Sequence, residues 1–134
     1  KEKTLRYPGH ARLIQSMIDK NLFDSNNFDK TVNELLNDWK LEEDEAEFTV
    51  LDINIYGNEK NIHYHLYDEM DIHSKSSSMA RTTGFTATAT INMILKEIWT
   101  KKGVSPPEIV GAKEDCTNFL LEYLALRNVK ISQS

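Results

Sequence analysis

Apolar positions near the start of the chain recur at helical spacing. Leu13, Ile14, Met17, Ile18 and Leu22 fall on one face of a helix that starts near His10, just after Pro8-Gly9. Ser25-Asn26-Asn27 interrupts the pattern and offers Asn27 as an N-cap. Phe28, Val32, Leu35, Leu36 and Trp39 then predict a second helix. Leu41 to Glu47 carries five acidic residues and reads as a solvated connection.

The period then changes to two. Thr49, Leu51, Ile53 and Ile55 alternate with Val50, Asp52, Asn54 and Tyr56. Gly57-Asn58-Glu59-Lys60 reads as a hairpin turn. Ile62, Tyr64 and Leu66 answer on the return strand, with His63, His65 and Tyr67 on its other face. The polar run Ser74-Lys75-Ser76-Ser77-Ser78 precedes a Thr-rich third helix, expected from about Ala80 to Trp99. Its apolar stripe is read as Ala87, Ile91, Ile94 and Ile98, and Gly103 with Ser105-Pro106-Pro107 ends it. A fourth helix near Lys113 to Arg127 buries Cys116, Phe119, Leu120, Tyr123 and Leu124, and Val129-Lys130-Ile131 adds a last short strand. An isolated hairpin is marginal in water, so the helices must cover its apolar side. The predicted class is α+β: a small, mostly antiparallel sheet with helices packed mainly on one face, forming a single domain over residues 1–134.

Composition narrows the choice of partners. The chain has 134 residues, 40% of them hydrophobic and 28% charged, which is the globular range. Its formal net charge of −5, with scattered Lys and Arg, argues against nucleic acid. No apolar run approaches the ~20 residues that span a bilayer, so no membrane partner is expected. Cys116 is the single cysteine, which suits a reducing cytoplasm and excludes an intrachain disulfide. The chain opens Lys1-Glu2-Lys3 without an initiating Met, as an excised piece of a longer protein would.

Two segments carry candidate chemistry. Thr4-Leu5-Arg6-Tyr7-Pro8-Gly9-His10 gathers Arg, Tyr and His at the start of a helix. A guanidinium fork matches a carboxylate, and a helix N-terminus attracts anions. A surface Arg in a salt bridge would leave the same pattern. In the segment Met79 to Thr86, Gly84 and the β-branched threonines are weak helix formers. Such a helix needs small residues either for close packing on the sheet or for approach of a ligand. Its hydroxyl-rich start, with Arg81, is suited to an anionic group. His63 and His65 share a strand face at a spacing that can put two imidazoles on one ion. No third ligand stands at a recognised spacing, so they are read as solvent-facing and no metal is assigned. Cys116 lies on the apolar stripe of its helix and reads as a buried, inert thiol. Neither Gly-x-Gly-x-x-Gly nor Gly-x-x-x-x-Gly-Lys occurs, so this stretch lacks a nucleotide phosphate loop.

Three segments resemble one family in order. Lys3-Thr4-Leu5-Arg6-Tyr7-Pro8-Gly9-His10 is similar to the motif opening the second half of the central domain in glutamate-forming saccharopine dehydrogenases. Lysine ε-dehydrogenases and carboxynorspermidine-type enzymes carry similar segments. Met79-Ala80-Arg81-Thr82-Thr83-Gly84-Phe85 resembles the family's second signature, and Gly103-Val104-Ser105-Pro106-Pro107-Glu108 its closing segment. The resemblance implies the substrate-binding and assembly domain of an oxidoreductase that acts on the C–N bond of a saccharopine- or lysine-like amino acid. The alternative is a stand-alone dimerisation or interaction domain without activity. It implies that Thr4, Leu5 and Arg6 contact substrate, with Arg6 on a carboxylate, and that Arg81 and Thr82 lie near the cleft between domains. No catalytic residue is assigned. The implied partners are an amino-acid substrate, the parent's own N-terminal Rossmann domain and a second copy in a homodimer. NAD or NADP would be bound by the Rossmann domain. The fragment itself is expected to bind no cofactor and to be inactive alone.

Overall fold

The computed structural model describes residues 1–42 and 45–134, which fall into two compact units divided at residues 43–44. In the first unit Gly9 holds φ at 96°, a left-handed conformation open to glycine, and its carbonyl accepts the first bond of helix α1 (His10–Asp19). Asn21, at φ 56°, ends that helix, and Leu22 N–H donates back to Met17. Of the expected stripe, Ile14, Met17 and Leu22 are half-buried, while Leu13 and Ile18 stay exposed. Helix α2 (Phe28–Asp38) begins after Asn27, as the sequence suggests. The Asn27 amide does not cap it, however, and instead turns back to donate to the Asn21 carbonyl. Thr31, which is buried, donates to the Leu22 carbonyl at 2.6 Å, and the His10 ring lies 5.4 Å from that of Trp39. These contacts tie the two helices together.

The second unit is built on the hairpin. Strands β1 (Phe48–Tyr56) and β2 (Asn61–Glu69) pair antiparallel, with Leu51 opposite Leu66, Ile53 opposite Tyr64 and Ile55 opposite Ile62. The apolar set expected on one face is therefore on one face. Gly57 N–H donates to the Lys60 carbonyl, and a Cβ at Gly57 would stand 2.8 Å from that oxygen, so the turn requires glycine. Strand β3 (Ile131–Gln133) joins the free edge of β2 antiparallel, two residues later than the sequence suggests, giving the order β1-β2-β3.

Helices α3 (Ser78–Leu95) and α5 (Glu114–Ala125) cover the Leu66 face. Leu66, Leu124 and Val129 form one buried cluster, with Phe85, Leu120 and Ile131 around it. Met93, Trp99 and Cys116 form a second, so the single thiol is buried. A short helix α4 (Pro107–Gly111) forms where the sequence suggests an irregular connection, because Pro107 at the first turn needs no N–H partner.

Helix α3 departs from expectation in two ways. It stops at Leu95, well before Gly103: Glu97 turns to φ 58°, and Ile98 N–H closes back on Met93. Asn128, at φ 62°, ends α5 in the same manner and delivers Val129 into the core. The inward face of α3 is also not the predicted one. Ser78, Arg81, Ala89 and Met93 are buried, whereas Ala87, Ile91 and Ile94 are exposed. At about 100° per residue the two sets lie on opposite sides of the helix.

The physical reason is an ion pair. Asp68, on the Leu66 face of β2, is buried and accepts from Arg81 Nε at 2.9 Å and Nη2 at 3.1 Å. Arg81 Nη2 also donates to the Arg127 carbonyl at 3.1 Å, and Nη1 lies 3.7 Å from Asp71. The Asp68 carboxylate raises the guanidinium pKa still further above its ordinary value. A buried carboxylate must be paired, so Arg81 sets the rotation of α3 and the isoleucine stripe turns outward.

Two outcomes are expected in urea unfolding of the chain. Met93→Ala should cost about 2–5 kcal/mol, while Ile94→Ala should cost less than about 0.5 kcal/mol, the reverse of what the sequence stripe implies. Arg81→Met should cost about 3–5 kcal/mol by stranding Asp68, and Arg81→Met/Asp68→Leu should recover most of that loss. Equal effects of Met93→Ala and Ile94→Ala would contradict this orientation of the helix.

Candidate functional site

The residues singled out by sequence separate into two environments. Thr4, Leu5 and Arg6 are in irregular backbone ahead of α1, and all three are exposed, Leu5 by 68%. Arg6 makes a local bond, Nη1 donating to the Leu5 carbonyl at 3.3 Å. Its guanidinium is thus presented to solvent beside Tyr7, which is 77% exposed. Such a fork can grip an external carboxylate with two parallel bonds.

Arg81 has the opposite placement. Its side chain is 10% exposed, and Nε and Nη2 are committed to Asp68 and the Arg127 carbonyl. The half-buried Thr82 directs its hydroxyl to the Ser78 and Met79 carbonyls. Thr86, Thr88 and Thr90 likewise donate to carbonyls one turn back. Threonine side chains in a helix readily make this bond, and it uses the hydroxyls that an anion would need.

The start of α3 does hold an anion, but the anion belongs to the chain itself. The Glu47 carboxylate accepts from Ser78 N–H, and from the Ser78 hydroxyl at 2.6 Å. Thr49 bonds the same hydroxyl at 2.6 Å, and Ser77 caps the helix by accepting from Ala80 N–H. The sequence pattern places Glu47 in a solvated acidic connection. It is instead half-buried and pins β1 to α3, while residues 43 and 44 of that connection lie outside the described residues. Gly84 needs no close packing on the sheet, since a Cβ there would meet nothing within 4 Å.

The other face of the hairpin joins the His63 and His65 pair to a third residue, Asp52, that the sequence pattern did not place beside them. Asp52 stands opposite His65 in the ladder and diagonal to His63. One oxygen, Asp52 Oδ1, accepts from His63 Nε2 at 2.8 Å and from His65 Nδ1 at 3.0 Å. These two bonds, that from His65 first, hold the Asp52 carboxyl below its usual pKa. The available signal was the register: the Gly57–Lys60 turn sets Tyr56 against Asn61 and so brings Asp52 to His65.

Two concavities open on the second unit. One, of about 430 Å³, lies between Lys96–Ile98 and the Asp115, Phe119 and Glu122 side of α5. The other, of about 180 Å³, is an apolar trough over Leu51, Ile53, Tyr64 and Leu66, closed by Leu121 and Ile131. Neither is lined by Thr4, Leu5, Arg6, Arg81 or Thr82. The described strands are all antiparallel, so they form no parallel βαβ crossover. No helix among the described residues is long and apolar enough to cross a membrane.

The sequence profile of the saccharopine dehydrogenase C-terminal domain matches residues 1–129 of the 134-residue chain. No curated protein matches the chain. The chain belongs to the saccharopine dehydrogenase C-terminal domain family, a family of domains associated with oxidoreductases.

Proposed function

We propose, with that membership as premise, that the chain is the substrate-binding and assembly part of an oxidoreductase acting on the C–N bond of an amino acid. The substrate class is a saccharopine- or lysine-like compound bearing a carboxylate. The observation that carries the reading is the exposure of Arg6, whose guanidinium faces solvent beside Thr4 and Leu5. In this reading Arg6 binds the substrate carboxylate, while Thr4 and Leu5 shape the surface around it. Arg81 contributes indirectly, by fixing α3 on the sheet. A nicotinamide cofactor would supply the redox step from a Rossmann domain elsewhere in the parent protein, since the described strands form no parallel βαβ crossover.

The test uses the protein encoded by the complete gene, assayed for NAD(P)-linked oxidation of saccharopine and of lysine. Arg6→Ala removes a charged hydrogen bond of about 1.5–3 kcal/mol, so KM should rise about 10- to 150-fold with little change in fold. An unchanged KM would remove Arg6 from the site. A gene with no glycine-rich βαβ segment upstream of Lys1 would overturn the enzyme reading.

A second reading, a stand-alone interaction domain that pairs with a copy of itself, has its own observation. Ile91 and Ile94 are each 55% exposed and Leu95 is 75% exposed, giving α3 an apolar outer face. Light scattering should then show a dimer that Ile91→Asp converts to monomer. A chain that is monomeric at all concentrations would count against assembly through this face.

A further inference from the structure

We propose that Asp52, His63 and His65 form a binding site for one divalent transition-metal ion of the zinc class, on the outer face of the hairpin. The proposal is independent of the oxidoreductase reading, since it uses neither the Thr4–Arg6 segment nor Arg81. The backbone brings the three residues together. His63 and His65 are two apart on β2, so both project from the same face, and the ladder puts Asp52 beside them on β1. Their ligand atoms all lie within 4.8 Å of one another. Both rings converge on a single oxygen, at 2.8 and 3.0 Å.

The donor set identifies the ion. Zinc binds imidazole nitrogen and carboxylate oxygen at about 2.0–2.2 Å, so a tetrahedral ion separates its ligands by about 3.4 Å. Moving the two nitrogens outward from Asp52 by about half an ångström, and toward each other from a separation within 4.8 Å, reaches that spacing by side-chain rotation on a fixed hairpin. Two imidazoles and one carboxylate favour zinc, cobalt, nickel or copper over magnesium or calcium, which prefer oxygen alone. Three protein ligands leave the fourth position to solvent or to a further ligand. With Asp52 ionised, each facing nitrogen carries a proton that it donates to the carboxylate. To take the ion, each neutral ring exchanges that proton through solvent for one on its far nitrogen, so the tautomer changes and the ring keeps one N–H. The three side chains are 41–43% exposed, so an ion reaches the site without unfolding.

The test is calorimetric titration of the chelator-treated chain with zinc chloride. One equivalent should bind. His63→Ala/His65→Ala and Asp52→Ala should each weaken binding at least about tenfold, while His10→Ala/His73→Ala should leave it unchanged. Circular dichroism checks the fold of each variant. Cobalt(II) added to the unaltered chain should shift or broaden the His63 and His65 ring signals in NMR before those of His10 and His73, and this readout needs no variant. No saturable one-equivalent binding, undiminished affinity in His63→Ala/His65→Ala, or cobalt effects centred on His10 or His73 would each overturn the proposal.

Discussion

A carboxylate buried on a sheet face must be neutralised where it stands, and Asp68 imposes that demand on the larger unit. Arg81 meets it and, with the same guanidinium, holds the Arg127 carbonyl at the end of α5. One side chain thus joins β2, α3 and the turn that leads into β3. The surrounding rings extend the joint. Phe85 lies 5.7 Å from the Arg81 guanidinium and 5.8 Å from that of Arg127, which in turn stacks on Tyr123 at 3.4 Å. Leu66, Leu124 and Val129 pack beside this polar centre. Burial of such a pair adds little net stability but penalises every other arrangement of the helix.

That constraint separates two arginines that look alike in sequence. Arg6 and Arg81 each stand in a segment resembling a family signature, near a helix start with hydroxyls nearby. Arg81 has a buried acidic partner and becomes part of the framework. Arg6 bonds only its neighbouring carbonyl among the described contacts and keeps its fork toward solvent. Similarly, the N-terminus of α3 attracts an anion as helix dipoles require, but the chain provides one in Glu47. A helix start is evidence for a ligand only when no internal carboxylate reaches it.

The sheet has two chemically different faces. The face carrying Leu51, Tyr64 and Leu66 meets helices and leaves an apolar trough beside them. The other gathers Asp52, His63 and His65, with Phe48 stacked on Tyr67 at 5.6 Å. The period-two alternation of the hairpin produces this division directly. Its fixed turn then sets which residues on opposite strands become neighbours.

Several features were legible in the sequence alone because local rules determine them. Alternating side chains and the Gly57 turn specified the hairpin and its apolar face. Pro8-Gly9 marked the start of α1, and the apolar spacing around Cys116 marked the buried side of α5. The ordered segments beginning at Lys3, Met79 and Gly103 identified the family that the profile match establishes. Tertiary structure decided what depends on residues far apart in the chain. The outward turn of Ile91 and Ile94 follows from the pairing of Arg81 with Asp68, thirteen positions away. The capture of Ser78 by Glu47 crosses thirty-one positions. The meeting of Asp52 with two histidines needs the strand register. Hydrophobic periodicity weighs every apolar residue alike, whereas a buried charge and its partner contribute only once the fold has brought them together.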